Sequence, residues 1–238
     1  MVKMKMNIKK MNKGLDFLRE KYGADKGTIV LKDGKAYVGA VPLMTGRVER
    51  KIKELKLMTE NGTLEGLSTF RFASFAPQGS DMKAMLAKEL DLAAYLGKAK
   101  VTRVMAVANG AAINVLAKLE NDINVSVEVG AGLPKGEEAY DRHEIICARG
   151  VGSDQTIDTH TPHMSIRTWN ADGATDYTDV DTELFGMTYE EVWTVRAAFA
   201  LLQDKKLAAE WKKAYAASVK AAELCFKSDK AKARKEIH

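Results

Sequence analysis

Lys88, Glu89 and Asp91 are the first residues in this sequence whose types and spacing suggest chemistry. Met82, Met85, Leu86, Ala93 and Leu96 recur at helical spacing and predict a helix over residues 81–96. Glu89 falls inside that apolar stripe, with Lys88 and Asp91 on its flanks. A carboxylate there is costly unless it is paired or faces a cleft, and carboxylates so placed mark candidate sites for proton chemistry. The plainer alternative is a glutamate that snorkels to the rim or pairs with a neighbouring lysine.

Histidines offer a second possibility. His160 and His163 follow Asp158 in an Asp-x-His-x-x-His pattern on a loop or strand end. Imidazoles and a carboxylate suit zinc or iron, but such sites need a further ligand and an enforced geometry, so a polar cleft or surface is expected here and no metal centre. His143 precedes Glu144 in a predicted strand, where consecutive side chains point to opposite faces, so those two are not a relay pair. No Gly-x-Ser-x-Gly, His-Glu-x-x-His or phosphate-cradling glycine loop occurs. That removes the common hydrolase, zinc-protease and nucleotide-hydrolase readings.

The elements that must carry these residues are dominated by three alternating runs, at residues 101–107, 112–119 and 123–129. Alternation puts Ile123, Val125, Val127 and Val129 on one face and Asn124, Ser126 and Glu128 on the other, as an antiparallel sheet with one packed face requires. Helical patterns over residues 81–96 and 189–226 are the expected cover. Before them, Asn7 caps a helix marked by Ile8, Met11, Leu15, Leu18 and Tyr22. Asp33-Gly34 predicts a type I′ hairpin turn between residues 28–31 and a strand over 36–41 that Pro42 closes. A basic helix with Val48, Ile52, Leu55 and Met58 leads to a strand over 67–75, and Ser80 is the expected cap of the helix that follows. Gly130-Ala-Gly132-Leu-Pro134-Lys-Gly136 reads as a flexible loop, and short strands are expected near residues 164–169 and Tyr177. The fold class is therefore α+β: a mostly antiparallel open sheet with helices on one face, preceded by a truncated α/β segment. The expected division is residues 1–66 and 67–238.

Composition sets the outer bounds. With 238 residues, 46% of them apolar, the chain can bury a substantial core. The net charge of +5 comes from 37 basic and 32 acidic residues, with much of the excess near the ends. No basic run is interleaved with stacking aromatics, so nucleic acid is not an expected partner. Two cysteines make no disulfide framework. No window approaches the roughly 18 apolar residues of a membrane span, and a cytoplasmic setting is expected.

Several strings resemble the C-terminal part of the glucose-fructose oxidoreductase, inositol dehydrogenase and MocA family. Tyr37-Val-Gly-Ala-Val41, the helix over 48–58 and the strand over 67–75 are similar to the end of that family's nucleotide-binding half and its crossing into the second domain. Asp91-Leu-Ala-Ala-Tyr-Leu-Gly97 resembles its helix after a His-Asp-x-Asp motif. Tyr140-Asp-Arg-His-Glu-Ile-Ile-Cys-Ala-Arg-Gly150 resembles a strand and glycine turn, and residues 189–228 the two closing helices. The resemblance covers roughly residues 36 to 238.

It implies an open sheet that supports oligomer contacts and walls a substrate site, with a Rossmann domain holding NAD or NADP for hydride transfer to or from a sugar or polyol. It also implies a lysine from a Glu-Lys-Pro motif and an Asp-x-x-x-His pair to assist proton transfer. This sequence departs from those features: no Gly-x-Gly-x-x-Gly follows a first strand, no Glu-Lys-Pro occurs, and Ala84 and Lys88 align with the family's Asp and His. The expectation is thus a substrate-domain-like subunit of a sugar or polyol oxidoreductase, with NAD or NADP present only if a separate nucleotide-binding subunit supplies its domain. Lys88 is then the proton-transfer candidate, with Glu89 or Asp91 to hold it by charge, and His160 and His163 are candidate substrate contacts. The alternative is a non-catalytic assembly, scaffold or sugar-binding subunit derived from the same domain. Either way the expected homo-oligomer forms through the sheet face.

Overall fold

The structure is a computed structural model that describes residues 6–154, 165–170, 173–178, 182 and 185–237. In chain order its elements begin with α1 (Ile8–Tyr22), β1 (Ile29–Lys32), β2 (Lys35–Val38), β3 (Val41–Pro42) and α2 (Arg50–Glu60). Then come β4 (Leu67–Pro77), α3 (Met82–Gly97), β5 (Val101–Asn109), β6 (Ala112–Leu119), β7 (Asn124–Leu133), β8 (Tyr140–Cys147) and β9 (Gly150–Ser153). The remainder is β10 (Ser165–Asn170), β11 (Gly173–Thr178), α4 (Tyr189–Gln203), α5 (Lys206–Ala231) and β12 (Lys235–Glu236).

Two compact units result. The larger comprises Lys51–Tyr177 and Ala217–His238, the smaller Val2–Arg50 and Thr178–Ala216. The larger is built on a seven-stranded sheet in the order β12-β5-β6-β7-β4-β8-β9. Every pairing in it is antiparallel except β4 with β7, so the sheet is mostly antiparallel and open, as expected for α+β. Alternation fixes its two faces. Val104, Ala106, Ile113, Val115, Val125, Val127, Phe70, Phe72 and Ile145 are buried on the inner one, under Ile52 and Leu55 of α2, Leu86, Leu90 and Ala93 of α3, and Ala221, Ala222 and Cys225 of α5. At roughly 25 cal/mol per Å² of apolar surface, this layer is the main source of the unit's stability.

The sheet's first edge is closed by side chains as well as by a strand. Only two residues of β12 pair with β5, at Val104 and Arg103. Beyond them the Ala106 N–H donates to Ser228 Oγ (3.1 Å) and the Ala108 N–H to Asp229 Oδ1 (2.9 Å), both at the end of α5. These bonds satisfy an edge that would otherwise present free backbone donors.

The smaller unit holds α1, the antiparallel meander β1-β2-β3 and α4 around Met11, Leu15, Ile29, Val195, Ala198 and Trp211. Asn7 caps α1 by accepting from the Lys10 N–H, and Asp33 and Gly34 take positive φ in the hairpin turn. Four local expectations are corrected. The strand expected over 36–41 breaks at Gly39 (φ 58°), where the chain turns and returns as β3. The cap of α3 is Asp81, whose carboxylate accepts from the Ala84 N–H, and not Ser80. The glycine loop begins later than expected, because Gly130 and Gly132 lie within β7, where a Cβ on Gly130 would come 2.9 Å from Phe75 Cδ1. Finally, of residues 189–226 only the second part of α5 covers the sheet, since α4 buries Val192, Val195 and Leu202 in the smaller unit.

Candidate functional site

Glu89 is fully buried on α3, and its carboxylate meets a histidine from the sheet. In β8 the period of two puts Asp141, His143 and Ile145 on the inner face. His143 is completely buried, with its ring edge-on to Phe72 at 4.8 Å between centroids. Its Nε2 lies 2.9 Å from Glu89 Oε2 and its Nδ1 2.5 Å from Asp154 Oδ2, just past the end of β9. Asp154 Oδ1 also accepts from the His143 backbone N–H at 2.6 Å, which fixes the carboxylate against the strand.

Two lysines complete the cluster. Lys51, in the first turn of α2, approaches both Asp141 Oδ1 and, at 3.2 Å, Asp154 Oδ2. Lys88 on α3 donates to Asp141 Oδ2 at 2.9 Å. Because Lys88 and Glu89 are consecutive, the contacts close a ring: Lys88, Asp141, Lys51, Asp154, His143, Glu89 and back along the helix. Cation and anion alternate around it.

Electrostatics follow from that alternation. Burial by itself disfavours the charged form of His143, but the Asp154 and Glu89 carboxylates outweigh it and raise the pKa to about 10, so the ring is an imidazolium at neutral pH. Burial likewise opposes ionisation of Asp141, yet Lys88 and Lys51 hold it well below the usual carboxylate range. Asp154 is lowered by Lys51 and His143 against the same penalty. Three cations thus balance three carboxylates in a low-dielectric setting, where each pair gains strength and each deletion strands a charge. Glu89 Oε1 stands apart: it is buried and has no hydrogen-bond partner. Lys88 is the most open member of the ring, with 31% of its side chain exposed against 0% for Glu89 and His143.

The structure brings together Lys88 and Glu89 but not Asp91. Asp91 is buried in the same helix, roughly 200° around it from Glu89. Glu89 neither snorkels nor pairs with a lysine; its partner is His143. His160 and His163 lie outside the described residues. Lys51, Asp141, His143 and Asp154 escape the sequence reading. The one signal for them was the Asp141-x-His143 spacing, which puts an acid and an imidazole on one strand face.

Among solved structures, the fold is similar to a putative myo-inositol dehydrogenase from Sinorhizobium meliloti (16% identity, TM-score 0.61, 82% of this chain and 64% of that one). It is also similar to a scyllo-inositol dehydrogenase from Lactobacillus casei with bound NAD(H) and scyllo-inositol (14%, 0.59, 97% and 70%). A myo-inositol dehydrogenase from Corynebacterium glutamicum gives 15%, 0.59, 82% and 63%. The chain thus spans less than two thirds of the length of the first and third of these. These neighbours are dehydrogenases of the type the sequence resembles, and the likeness is one of fold. No family's sequence model matches the chain, and no curated protein does.

One of these neighbours carries NAD(H), and the helix starts among the described residues here can be compared with the needs of such a cofactor. In dinucleotide-binding folds the pyrophosphate sits at a helix N-terminus with free N–H groups. Asp81 caps α3, Asp204 accepts from Lys206 N at the start of α5, and Glu49 directly precedes α2. Glu191 serves both α4, through its capping box, and α1, by accepting from Asn7 N at 2.6 Å. A diphosphate at the starts of α1, α3, α4 or α5 meets a carboxylate.

Proposed function

We propose that this chain is the substrate-side subunit of a sugar or polyol oxidoreductase, with the nicotinamide cofactor carried on another chain or domain. The observation that carries this reading is Lys88: a partly exposed ammonium held by Asp141 at the open end of an otherwise buried ionic ring. In this reading Lys88 donates a hydrogen bond to the oxygen on the reacting carbon and orients it, while Glu89 fixes the helix that presents it. Asp91, His160 and His163 remain candidate contacts that belong to the same proposal. The carboxylates at the helix starts support a cofactor site elsewhere. The free thiols of Cys147 and Cys225 support a cytoplasmic setting, and no helix among the described residues is long and apolar enough to cross a membrane.

The test is a thermal-shift series with scyllo-inositol, myo-inositol and a panel of sugars, run with and without NAD or NADP. A polyol should raise the melting temperature of the wild-type chain and not of Lys88→Ala, and neither nucleotide should shift it alone. Tight NAD(P) binding by the purified chain, or indifference to every polyol and sugar, refutes the proposal.

A second reading has its own support. The Lys88 ammonium is already engaged and the ring is charge-balanced, which suits a non-catalytic assembly subunit. Unchanged turnover of a reconstituted complex carrying Lys88→Ala would favour it.

A further inference from the structure

We infer that Glu89, Asp141 and His143 form a binding site for a divalent transition-metal ion. One ligand atom from each lies within 4.8 Å of the others, and all three sit on regular elements, Glu89 on α3 and the other two on β8. One imidazole and two carboxylates are a donor set suited to Zn²⁺ or Mn²⁺, and three protein ligands leave a coordination position open.

Three further features point the same way. Glu89 Oε1 is a buried carboxylate oxygen with no donor to satisfy it, a costly arrangement that a cation would relieve. His143 Nδ1 faces Asp154, the carboxylate–histidine pairing that orients a metal-bound imidazole through its far nitrogen. The other nitrogen, Nε2, then faces Glu89 at 2.9 Å, where a proton and a metal ion compete for the same place between imidazole and carboxylate. Asp141 remains able to take part although Lys51 and Lys88 both reach it, because a carboxylate has about four lone-pair positions and these contacts use two. From sequence no metal is expected, and the nearest candidate there, Asp158 with His160 and His163, is a different set of residues.

The inference stands independently of the polyol reading, since it is read by metal binding alone. Protein stripped with EDTA should take up one Zn²⁺ or Mn²⁺ per chain, by equilibrium dialysis and elemental mass spectrometry, with ZnCl₂ or MnCl₂ as the probe. Glu89→Gln, which preserves volume, should weaken uptake at least tenfold. Asp154→Asn should weaken it roughly 10–100-fold through lost orientation of the imidazole. The double variant His160→Ala/His163→Ala should bind as wild type does. On wild-type protein, ring-nitrogen NMR during a Zn²⁺ titration should move His143 alone among the four histidines, a readout that needs no variant to fold. No stoichiometric uptake, uptake unchanged in Glu89→Gln, or a response centred on another histidine would overturn it.

Discussion

At the scale of single residues, the ionic ring separates strength from vulnerability. Its six charges satisfy one another, so its net contribution to stability is modest, but removing one partner leaves an uncompensated buried charge. Asp154→Ala should therefore lower unfolding free energy by about 3–5 kcal/mol, read as a fall in the urea midpoint at constant slope. Alanine at Glu223, which pairs with Lys83 where both side chains are exposed, should leave the midpoint almost unchanged by the same measurement. The two thiols should also part company. Burial pushes the Cys225 thiol up to about 12, so it stays protonated and unreactive near pH 8, whereas Cys147 is partly exposed. One equivalent of thiol reagent should react with native protein and two after unfolding. Since the folded Cys225 holds its proton more tightly than an unfolded thiol near 9, its contribution to stability is intact below about pH 9 and is lost as pH climbs towards 12.

Among the elements, what was legible in the sequence is what local pattern controls. Alternation over residues 123–129 predicts β7 and its buried face, Asn7 announces the start of α1, and Asp33-Gly34 announces its hairpin. Glu89 was recognisable as out of place on an apolar stripe. Its partner was not, because 54 residues separate Glu89 from His143 and only the pairing of β4 with β8 brings them together. The same holds for Lys51 and Asp141, 90 residues apart. Local pattern also misled where glycine served packing, as at Gly130 against Phe75. The closure of β5 by α5 is likewise invisible to periodicity, yet it should be measurable. Ser228 is buried, accepts from Ala106 N and donates to Ala233 O at 2.6 Å, so Ser228→Ala strands a buried donor and should cost about 1–3 kcal/mol in chemical denaturation.

For the molecule as a whole, the outer surface of the sheet carries its own implication. Met105 and Leu116 stand directly opposite each other on β5 and β6, and with Val107 they leave apolar area in solvent on that face, Leu116 being 60% exposed. The proposed homo-oligomer through this face gives Leu116→Lys a definite outcome: a smaller particle in light scattering after size exclusion, with the circular dichroism spectrum unchanged. A variant that keeps the wild-type mass would count against assembly there. The topology of the same sheet bears on how the chain reaches its native state. Phe70 and Phe72 lie on β4, whose neighbours β7 and β8 both come later in sequence. During synthesis that central strand leaves the ribosome with neither flank available, and it can dock only after the β5-β6-β7 meander has been made. The two rings at the heart of the core thus stay uncovered until β7 and β8 have emerged, and it is this interval that a chaperone would have to guard.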